Sequence, residues 1–229
     1  MTSSRDQILN KLRAARQPFP DAPPRPKQYL PVAPLDDTTP DGLLKRFSFE
    51  LDRVMGQVFP VEGDEGARAC VLDLLKTNQT THILAWDFKY IPVDGLEAAI
   101  REAGIEITYP EMHDEFREAT IESIRSAQVG LAGVDAAIAA TGTMVFSTAP
   151  GKGRLPTVIA PMFIAVITID QLLPRLEDWV AQQRSNNLDL MWKTANICFN
   201  TGPSRTADIE MQMILGVHGP GKVRVVVKK

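Results

Sequence analysis

The sequence is poor in cysteine: Cys70 and Cys198 are the only two among 229 residues. They are far apart in sequence and each lies in an apolar pattern, so they cannot by themselves hold an iron–sulfur cluster or a cysteine-based zinc site. A disulfide between them is one option, but two buried thiols are the favoured interpretation. We therefore expect no cofactor in this chain and a reducing, cytoplasmic location.

Long apolar runs and an excess of charge are missing as well. No run approaches the ~20 apolar residues that a transmembrane helix needs, and the N-terminal segment lacks the apolar core of a signal peptide. The net charge of −3 at pH 7 gives no electrostatic reason to expect DNA or RNA as a partner. The P-loop, the G-x-S-x-G turn and the H-E-x-x-H motif are also absent, which removes those NTPase and hydrolase classes.

Proline divides the chain into two parts. Apolar residues at helical spacing predict a short amphipathic helix over 3–17, with Ser3 and Asp6 as a capping box. The following segment, 18–40, holds eight of the 17 prolines and favours an extended arm. We therefore predict an N-terminal helix with a proline-rich arm over 1–40 and a globular domain over 41–229.

Helical and strand patterns alternate in the larger part. Helices are predicted over 41–56, 63–79, 93–104, 111–128 and 170–183, the last with Pro174 in its first turn. Strands are predicted over 57–61, 82–86, 105–109, 162–169, 196–200 and 222–229. Short apolar strands between helices favour an α/β fold with a mostly parallel sheet flanked by helices. The glycine-rich segment 129–150 leaves no room for helices, so it predicts a smaller antiparallel β element.

The segment 200–220, NTGPSRTADIEMQMILGVHGP, raises the question of a ligand site. We predict a strand that ends near Asn200, a turn at Gly202-Pro203, and a helix that begins at Ser204 or Thr206 and ends at Gly216. Capping explains the hydroxyls, and the helix dipole favours the two carboxylates that follow.

Arg205 is not explained by capping, because a cation is mildly unfavourable at a helix N-terminus. The alternative is that amides, hydroxyls and this guanidinium converge on an anionic ligand, whose carboxylate or phosphate suits the guanidinium fork. Asp208 and Glu210 are about 200° apart on a regular helix, so only one of them can face that ligand. Cap and site remain equally supported by the residues alone.

His218 lies between glycines in LGVHGP, where the imidazole is accessible and could act as an acid or a base. Without a visible partner, a turn residue that bonds to the backbone is the favoured interpretation. His82 and His113 have no metal-ligand spacing, and we assign them no role.

A second candidate is the segment ATGTMVFSTAPGKGRLP. Gly142, between Thr141 and Thr143, indicates a bulge or a close backbone approach. The loop 151–154, Gly-Lys-Gly-Arg, could meet an anion, although a solvated turn is favoured over a phosphate cradle.

Three motifs together, AATGTMVF, GPSRTADIE and LGVHGP, resemble the LUD-domain family, in particular its lactate-utilisation protein C group. The resemblance covers about residues 40–229. It implies a fold like that of the NagB/RpiA/CoA-transferase superfamily, a three-layer α/β architecture with a smaller antiparallel element. It also implies a site lined by the residues of these motifs. They are Thr141, Gly142, Thr143, Gly202, Pro203, Ser204, Arg205, Thr206, Asp208, Glu210, Gly216, His218 and Gly219.

The same resemblance implies a role in the bacterial oxidation of L-lactate to pyruvate. Iron–sulfur and cysteine-rich proteins would be the partners, and this chain would be the cluster-free component that binds a small organic anion. Two positions depart from the family pattern: Ala140 stands where members often have an acidic residue, and Phe163 where they often have histidine. Both departures put proton chemistry at this site in doubt.

Two other classes of function stay open. One is a stand-alone enzyme, such as an acyl-, CoA- or folate-type transferase, an isomerase or a cyclo-ligase, which rests on fold analogy alone. A covalent acyl carrier would need a carboxylate nucleophile, and Asp208 and Glu210 are the candidates in the motif. The other class is a ligand sensor without catalysis.

Overall fold

A computed structural model describes residues 3–15, 34–109, 117–207 and 212–229. Its contacts divide the chain into two compact units, Met1–Val32 and Ala33–Lys229. In the first unit, the predicted helix is confirmed as α1 (Ser4–Ala15). The amide of Asp6 donates to the hydroxyl oxygen of Ser3 at 3.2 Å, which is the predicted cap.

The second unit alternates helices and strands. Its helices are α2 (Pro40–Arg53), α3 (Gly63–Thr77), α4 (Leu96–Glu102), α5 (Arg117–Arg125), α6 (Leu155–Val158), α7 (Leu176–Ser185) and α8 (Asp189–Lys193). Its strands are β1 (Gln57–Val61), β2 (His82–Ala85), β3 (Glu106–Thr108), β4 (Val129–Ala132), β5 (Ala136–Ile138), β6 (Thr143–Ser147), β7 (Met162–Thr168), β8 (Leu172–Leu173), β9 (Ile197–Asn200), β10 (Arg205–Ala207), β11 (Met213–Leu215) and β12 (Lys222–Lys228). Among the described residues, no helix has the length and apolar character that a membrane span requires.

The main sheet has six strands in the order β1-β12-β7-β4-β2-β3, all parallel to their neighbours. Its centre is β7, which is buried from Met162 to Ile167 and lies between β12 and β4. A strand buried on both faces needs a continuous apolar run, and the sequence MFIAVIT provides it. The predicted parallel sheet flanked by helices is therefore confirmed.

A second sheet carries the antiparallel pairing predicted for 129–150, but only from β5 onward. The start of that segment, β4, is instead a parallel strand of the main sheet, so this part of the prediction is wrong. The order of the second sheet is β8-β5-β6-β9, in which β6 runs antiparallel to both β5 and β9 and β8 runs parallel to β5. Helix α2 packs between elements of both sheets through its apolar face, which contains Leu43, Leu44, Phe47 and Leu51. This arrangement brings the loops of the second sheet against the C-terminal end of α2.

The helix predicted over 170–183 is wrong in its first part. A 3-10 turn over Ile169–Gln171 leads into the short strand β8, and the helix α7 begins only at Leu176. Leu173, which precedes Pro174, stays extended and pairs with β5, as the residue before proline favours. The carbonyl of Pro174 then accepts a hydrogen bond from the amide of Ala140 at 3.0 Å, so proline separates the strand from the helix.

The helix predicted from Ser204 or Thr206 to Gly216 is also wrong. β10 and β11 form a two-stranded antiparallel ribbon, in which Thr206 lies opposite Ile214. The amide of Gly216 donates to the carbonyl of Ser204 at 2.9 Å, and the amide of Ser204 donates to the carbonyl of Pro220 at 2.8 Å. These long-range bonds close the ribbon, so tertiary contacts override the helical tendency of the segment.

Candidate functional site

Two glycine turns pack against the C-terminal end of α2. Gly142 has φ +64°, and a Cβ atom there would lie 2.7 Å from the backbone nitrogen of Leu51. Gly202 has φ +72°, and its Cβ atom would lie 2.7 Å from a methyl group of Val54. Only glycine accepts both the positive φ and the close approach. The two motifs that contain these glycines therefore share one wall of the molecule.

Threonine hydroxyls connect the same two motifs. The Oγ1 atoms of Thr141 and Thr143 are 2.7 Å apart, and those of Thr143 and Thr201 are also 2.7 Å apart. Thr141 is exposed, whereas Thr143 is buried. The chain of hydroxyls therefore begins at the surface and leads inward to the Gly202 turn. Thr201 was not predicted as a site residue, since nothing in its spacing from residue 143 indicates the contact.

Ser204 joins the third motif, LGVHGP, to this surface. Its backbone bonds to Gly216 and Pro220. In addition, its Cβ lies 3.2 Å from the point where a Cβ atom on Gly219 would be, so the two residues are in close contact. The amide of Gly221 donates to the carbonyl of Pro161 at 2.9 Å, which fixes the turn beside the start of β7. The three motifs are thus linked in space, at the end where β7 and β12 begin. We call this surface the motif edge.

The motif edge exposes a guanidinium and an imidazole. Arg205 in β10 and His218 in the turn after β11 are both exposed. The backbone of Arg205 pairs with Leu215, but neither side chain forms a hydrogen bond or ion pair with any other described residue. Thr206 is half-buried and Pro203 is buried. Asp208 and Glu210 lie outside the described residues.

The two departures from the family pattern lie in apolar surroundings. Ala140 is 7% exposed, and Phe163 is fully buried in β7. The ring of Phe163 packs against that of Phe146 with centroids 5.7 Å apart. Neither position offers a group that could transfer a proton.

Sequence comparison decides the family. Residues 44–227 match the family model of the LUD domain. The chain belongs to the LUD-domain family.

Several proteins are similar to this LUD chain. Lactate utilization protein C of Oceanobacillus iheyensis is 35% identical over 101 residues, 44% of this chain and 43% of that protein. The protein of the same name from Macrococcus caseolyticus is 31% identical over 148 residues, 63% of this chain and 60% of that protein. The chain thus spans less than two thirds of these relatives. A DUF162 family protein from Deinococcus radiodurans superposes with a TM-score of 0.58 at 17% identity, over 84% of this chain and 100% of that chain, which shows the fold.

The carboxyl end of the LUD sheet holds a cluster that sequence reasoning missed. Lys152 is 7% exposed, and its ammonium bonds to the carboxylate of Asp135 and, at 3.1 Å, to the hydroxyl of Ser147. The same ammonium lies 4.9 Å from the ring of Trp86 and 5.4 Å from that of Tyr90. The interpretation of loop 151–154 as a solvated turn is therefore wrong, because its lysine is an internal ion-pair partner. The flanking glycines gave no signal of this.

This loop fills the place where open parallel sheets usually bind ligands. The order of the main sheet reverses between β2 and β4, and ligands of such sheets commonly bind at the carboxyl ends of the strands there. Here the amide of Asp87 donates to the carbonyl of Gly151 at 2.9 Å, and the indole of Trp86 donates to that of Gly153 at 2.7 Å. The chain itself occupies the crevice.

A surface groove of about 620 Å³ lies nearby, between the loop after β2 and α4. Its cations are already engaged: Arg101 pairs with Glu97 at 2.9 Å and Lys89 with Asp87 at 2.6 Å. The hydroxyl of Tyr109 also donates to Glu97 at 2.6 Å. Burial and the bond to Glu97 raise the pKa of Tyr109 to about 12. These mutual bonds leave the groove without a cation offered to an anionic ligand.

Among the described residues, the cysteines and histidines form no metal site. Cys70 and Cys198 are free and half-buried, and burial raises the pKa of the Cys70 thiol. In the described part of the chain, no group of three or more histidine, cysteine or acidic residues could hold a metal ion. His82 is buried with its ring nitrogens 2.9 Å and 2.8 Å from the hydroxyls of Ser126 and Thr108, which is a structural role. His113 lies outside the described residues.

Proposed function

We propose that this LUD chain takes part in lactate utilisation by binding a small organic anion at the motif edge. The observation that carries the proposal is the exposed guanidinium of Arg205, unpaired within the described residues, on a surface built from the three family motifs. The name of the relatives, lactate utilization protein C, supports the choice of a hydroxy or keto acid as ligand.

The chemistry of the motif edge suits such a ligand. A guanidinium can bind a carboxylate through two parallel N–H···O bonds. The exposed hydroxyl of Thr141, at the outer end of the threonine chain, is available to the 2-hydroxyl or 2-keto oxygen. His218 is an exposed imidazole that could exchange a proton with the bound acid. The glycines and Pro203 of the motifs would shape the surface. The hydroxyl of Thr206, in β10, would form a hydrogen bond with the bound acid.

Oxidation of a hydroxy acid also requires an electron acceptor. We propose that iron–sulfur partner proteins accept the two electrons, because this chain has two cysteines and a cysteine-ligated cluster needs four thiolates. This chain would then bind and present the acid, and it would itself be cluster-free.

Calorimetry and thermal unfolding of the purified chain test the binding step. We expect L-lactate or pyruvate to bind and, at ~100 times its Kd, to stabilise the fold by ~2.7 kcal/mol. Arg205→Ala should abolish the effect, whereas Arg184→Ala, which removes an exposed arginine of α7, should retain it. Absence of binding by either acid would overturn the proposed site, and stabilisation by a CoA thioester or a folate instead would favour the stand-alone enzyme.

A further inference from the structure

Strand β9 lies at an open edge of the second sheet. It pairs with β6 on one side, and no described strand pairs with its other side. The amide of Thr148 donates to the carbonyl of Asn196 at 3.1 Å. This bond shows that the backbone groups of Asn196 face β6, and it therefore fixes which residues of β9 face the open side. Backbone groups of successive residues point to opposite sides, so Ile197 and Phe199 turn their N–H and C=O groups to the open edge.

Apart from its short length of four residues, this edge lacks the features that commonly protect a strand from pairing with another chain. Such features are very short strands, charged side chains, proline, bulges or a covering element. The segment 196–200, Asn-Ile-Cys-Phe-Asn, has no charge and no proline, and its register with β6 is regular. Phe199 is 45% exposed even though its ring packs edge-on against Trp179 at 5.2 Å. The edge is therefore apolar, uncharged and open.

Helix α8 precedes the edge strand in the chain and carries exposed apolar side chains. The hydroxyl of Thr194 donates to the carbonyl of Asn196 at 2.9 Å and accepts from the amide of Thr148 at 3.0 Å, which holds the end of α8 at the strand. Met191 and Trp192, just before this anchor, are 41% and 80% exposed. Exposed tryptophan is typical of residues that dominate protein–protein interfaces.

We propose that β9 binds the β9 strand of a second copy of this chain, antiparallel and about a two-fold axis at Cys198. The edge is self-complementary, because this axis places the outward backbone groups of Ile197 opposite those of Phe199 in the other copy. The uncharged segment brings no like charges together, and an Ile–Phe cross-strand pair is favourable. The exposed side of Phe199 would then be covered, and the second sheets of both copies would become continuous.

The strand alone buries too little surface for a stable complex, which usually needs about 1,200 Å² or more. The proposed dimer therefore also requires Met191 and Trp192, the exposed apolar side chains of α8, to take part in the contact. We therefore expect a dimer that depends on concentration. Its interface lies on the second sheet and does not require the ligand of the proposed function, so the two proposals can fail separately.

Cys198 reports on the proposed register. It would face its own copy in the non-hydrogen-bonded position, where Cα atoms are about 4.5 Å apart. That distance is within the range of a disulfide. Asn200, on the same strand and face, would be about 13 Å from its own copy, because each residue of offset adds ~3.3 Å. A cysteine at residue 200 could not form the bridge.

The experiment compares two single-cysteine proteins under mild oxidation with copper-phenanthroline. The first is Cys70→Ser, which keeps Cys198, and the second is Cys70→Ser/Cys198→Ser/Asn200→Cys. We expect a covalent dimer from the first protein and little from the second. Sedimentation equilibrium of the unoxidised chain should show monomer and dimer in exchange, and Phe199→Lys or Ile197→Lys should shift it to monomer.

Three results would overturn the proposal. Equal crosslinking at residues 198 and 200 would indicate random collision. A dimer that crosslinks at neither position would use another surface. A chain that remains monomeric at every concentration would leave the edge to a different protein.

Discussion

Gly142 and Gly202 could be singled out from the sequence, whereas the role of Lys152 became clear only from the structure. The glycines stood in recognisable motifs, and the structure shows that each has a positive φ. An atom of α2 or of its C-cap residue Val54 lies within 3 Å of the place where each Cβ would be. Packing therefore accounts for them without a ligand. Lys152 looked like a surface residue in a glycine loop, yet it is buried with Asp135 and Ser147.

Loss of the ammonium of Lys152 should destabilise the fold strongly. In Lys152→Met, the carboxylate of Asp135 is left in a mostly buried place without its counter-ion, and removal of one partner of such a pair costs ~3–5 kcal/mol. Urea unfolding measures the change in free energy. Lys193→Met is the matched control, since Lys193 also pairs with an aspartate but is 75% exposed, and its loss should cost ~1 kcal/mol or less. A change below ~1 kcal/mol in Lys152→Met would contradict the structural role.

Some site residues could be identified from their neighbours in the sequence, whereas others act through contacts with residues distant in the chain. Arg205 could be singled out from sequence because a cation at the expected helix start had no structural reason. Its exposure without a described partner agrees with that reasoning, although the helix itself is wrong. Thr201, Asp135 and Ser147 could not be found, because each acts through contacts with residues distant in the chain. Binding of an anion at the motif edge stays a prediction.

At the scale of elements, β4 departs from the prediction: it lies in the segment 129–150, for which antiparallel pairing was expected, but it runs parallel between β2 and β7. Apolar periodicity identified the helices α2, α3 and α4 and the other five strands of the main sheet. Those segments combine a clear period with glycine or proline boundaries, so local and tertiary preferences agree. The two wrong helices both begin at or near a short strand. β8 pairs with β5, which is distant in the chain, and β10 pairs with the nearby β11. Strands of two or three residues are too short to show a period of their own.

The ribbon can be tested with an engineered disulfide. Ala207 and Met213 lie directly opposite each other in the β10–β11 register, so Ala207→Cys/Met213→Cys should oxidise to an intramolecular bridge. In a helix these residues would be about 9 Å apart along the axis, which is too far. Mass spectrometry in a Cys70→Ser/Cys198→Ser background detects the loss of two hydrogens. The offset pair Ala207→Cys/Gln212→Cys should stay reduced, and equal oxidation of both pairs would count against the ribbon.

At the scale of the whole molecule, the family motifs lie at the amino-terminal ends of the parallel strands and not at their carboxyl ends. Open parallel sheets commonly bind ligands at the carboxyl ends of their strands, but here the loop around Lys152 fills the crevice after β2 and β4. The motif edge instead lies where β7 and β12 begin. The α/β class followed from sequence, whereas the end of the sheet that carries the motifs depended on how the second sheet packs against α2.

Growth on L-lactate as the sole carbon source tests the central claim most directly. The gene for this chain is deleted in its own organism, in a strain without a second copy of the gene, and wild type, Arg205→Ala or Arg184→Ala is restored at equal protein levels. The account predicts that growth fails without the gene, returns with wild type and Arg184→Ala, and stays impaired with Arg205→Ala. Normal growth of the deletion strain would contradict the role in lactate utilisation, and full rescue by Arg205→Ala would contradict the motif edge as its site.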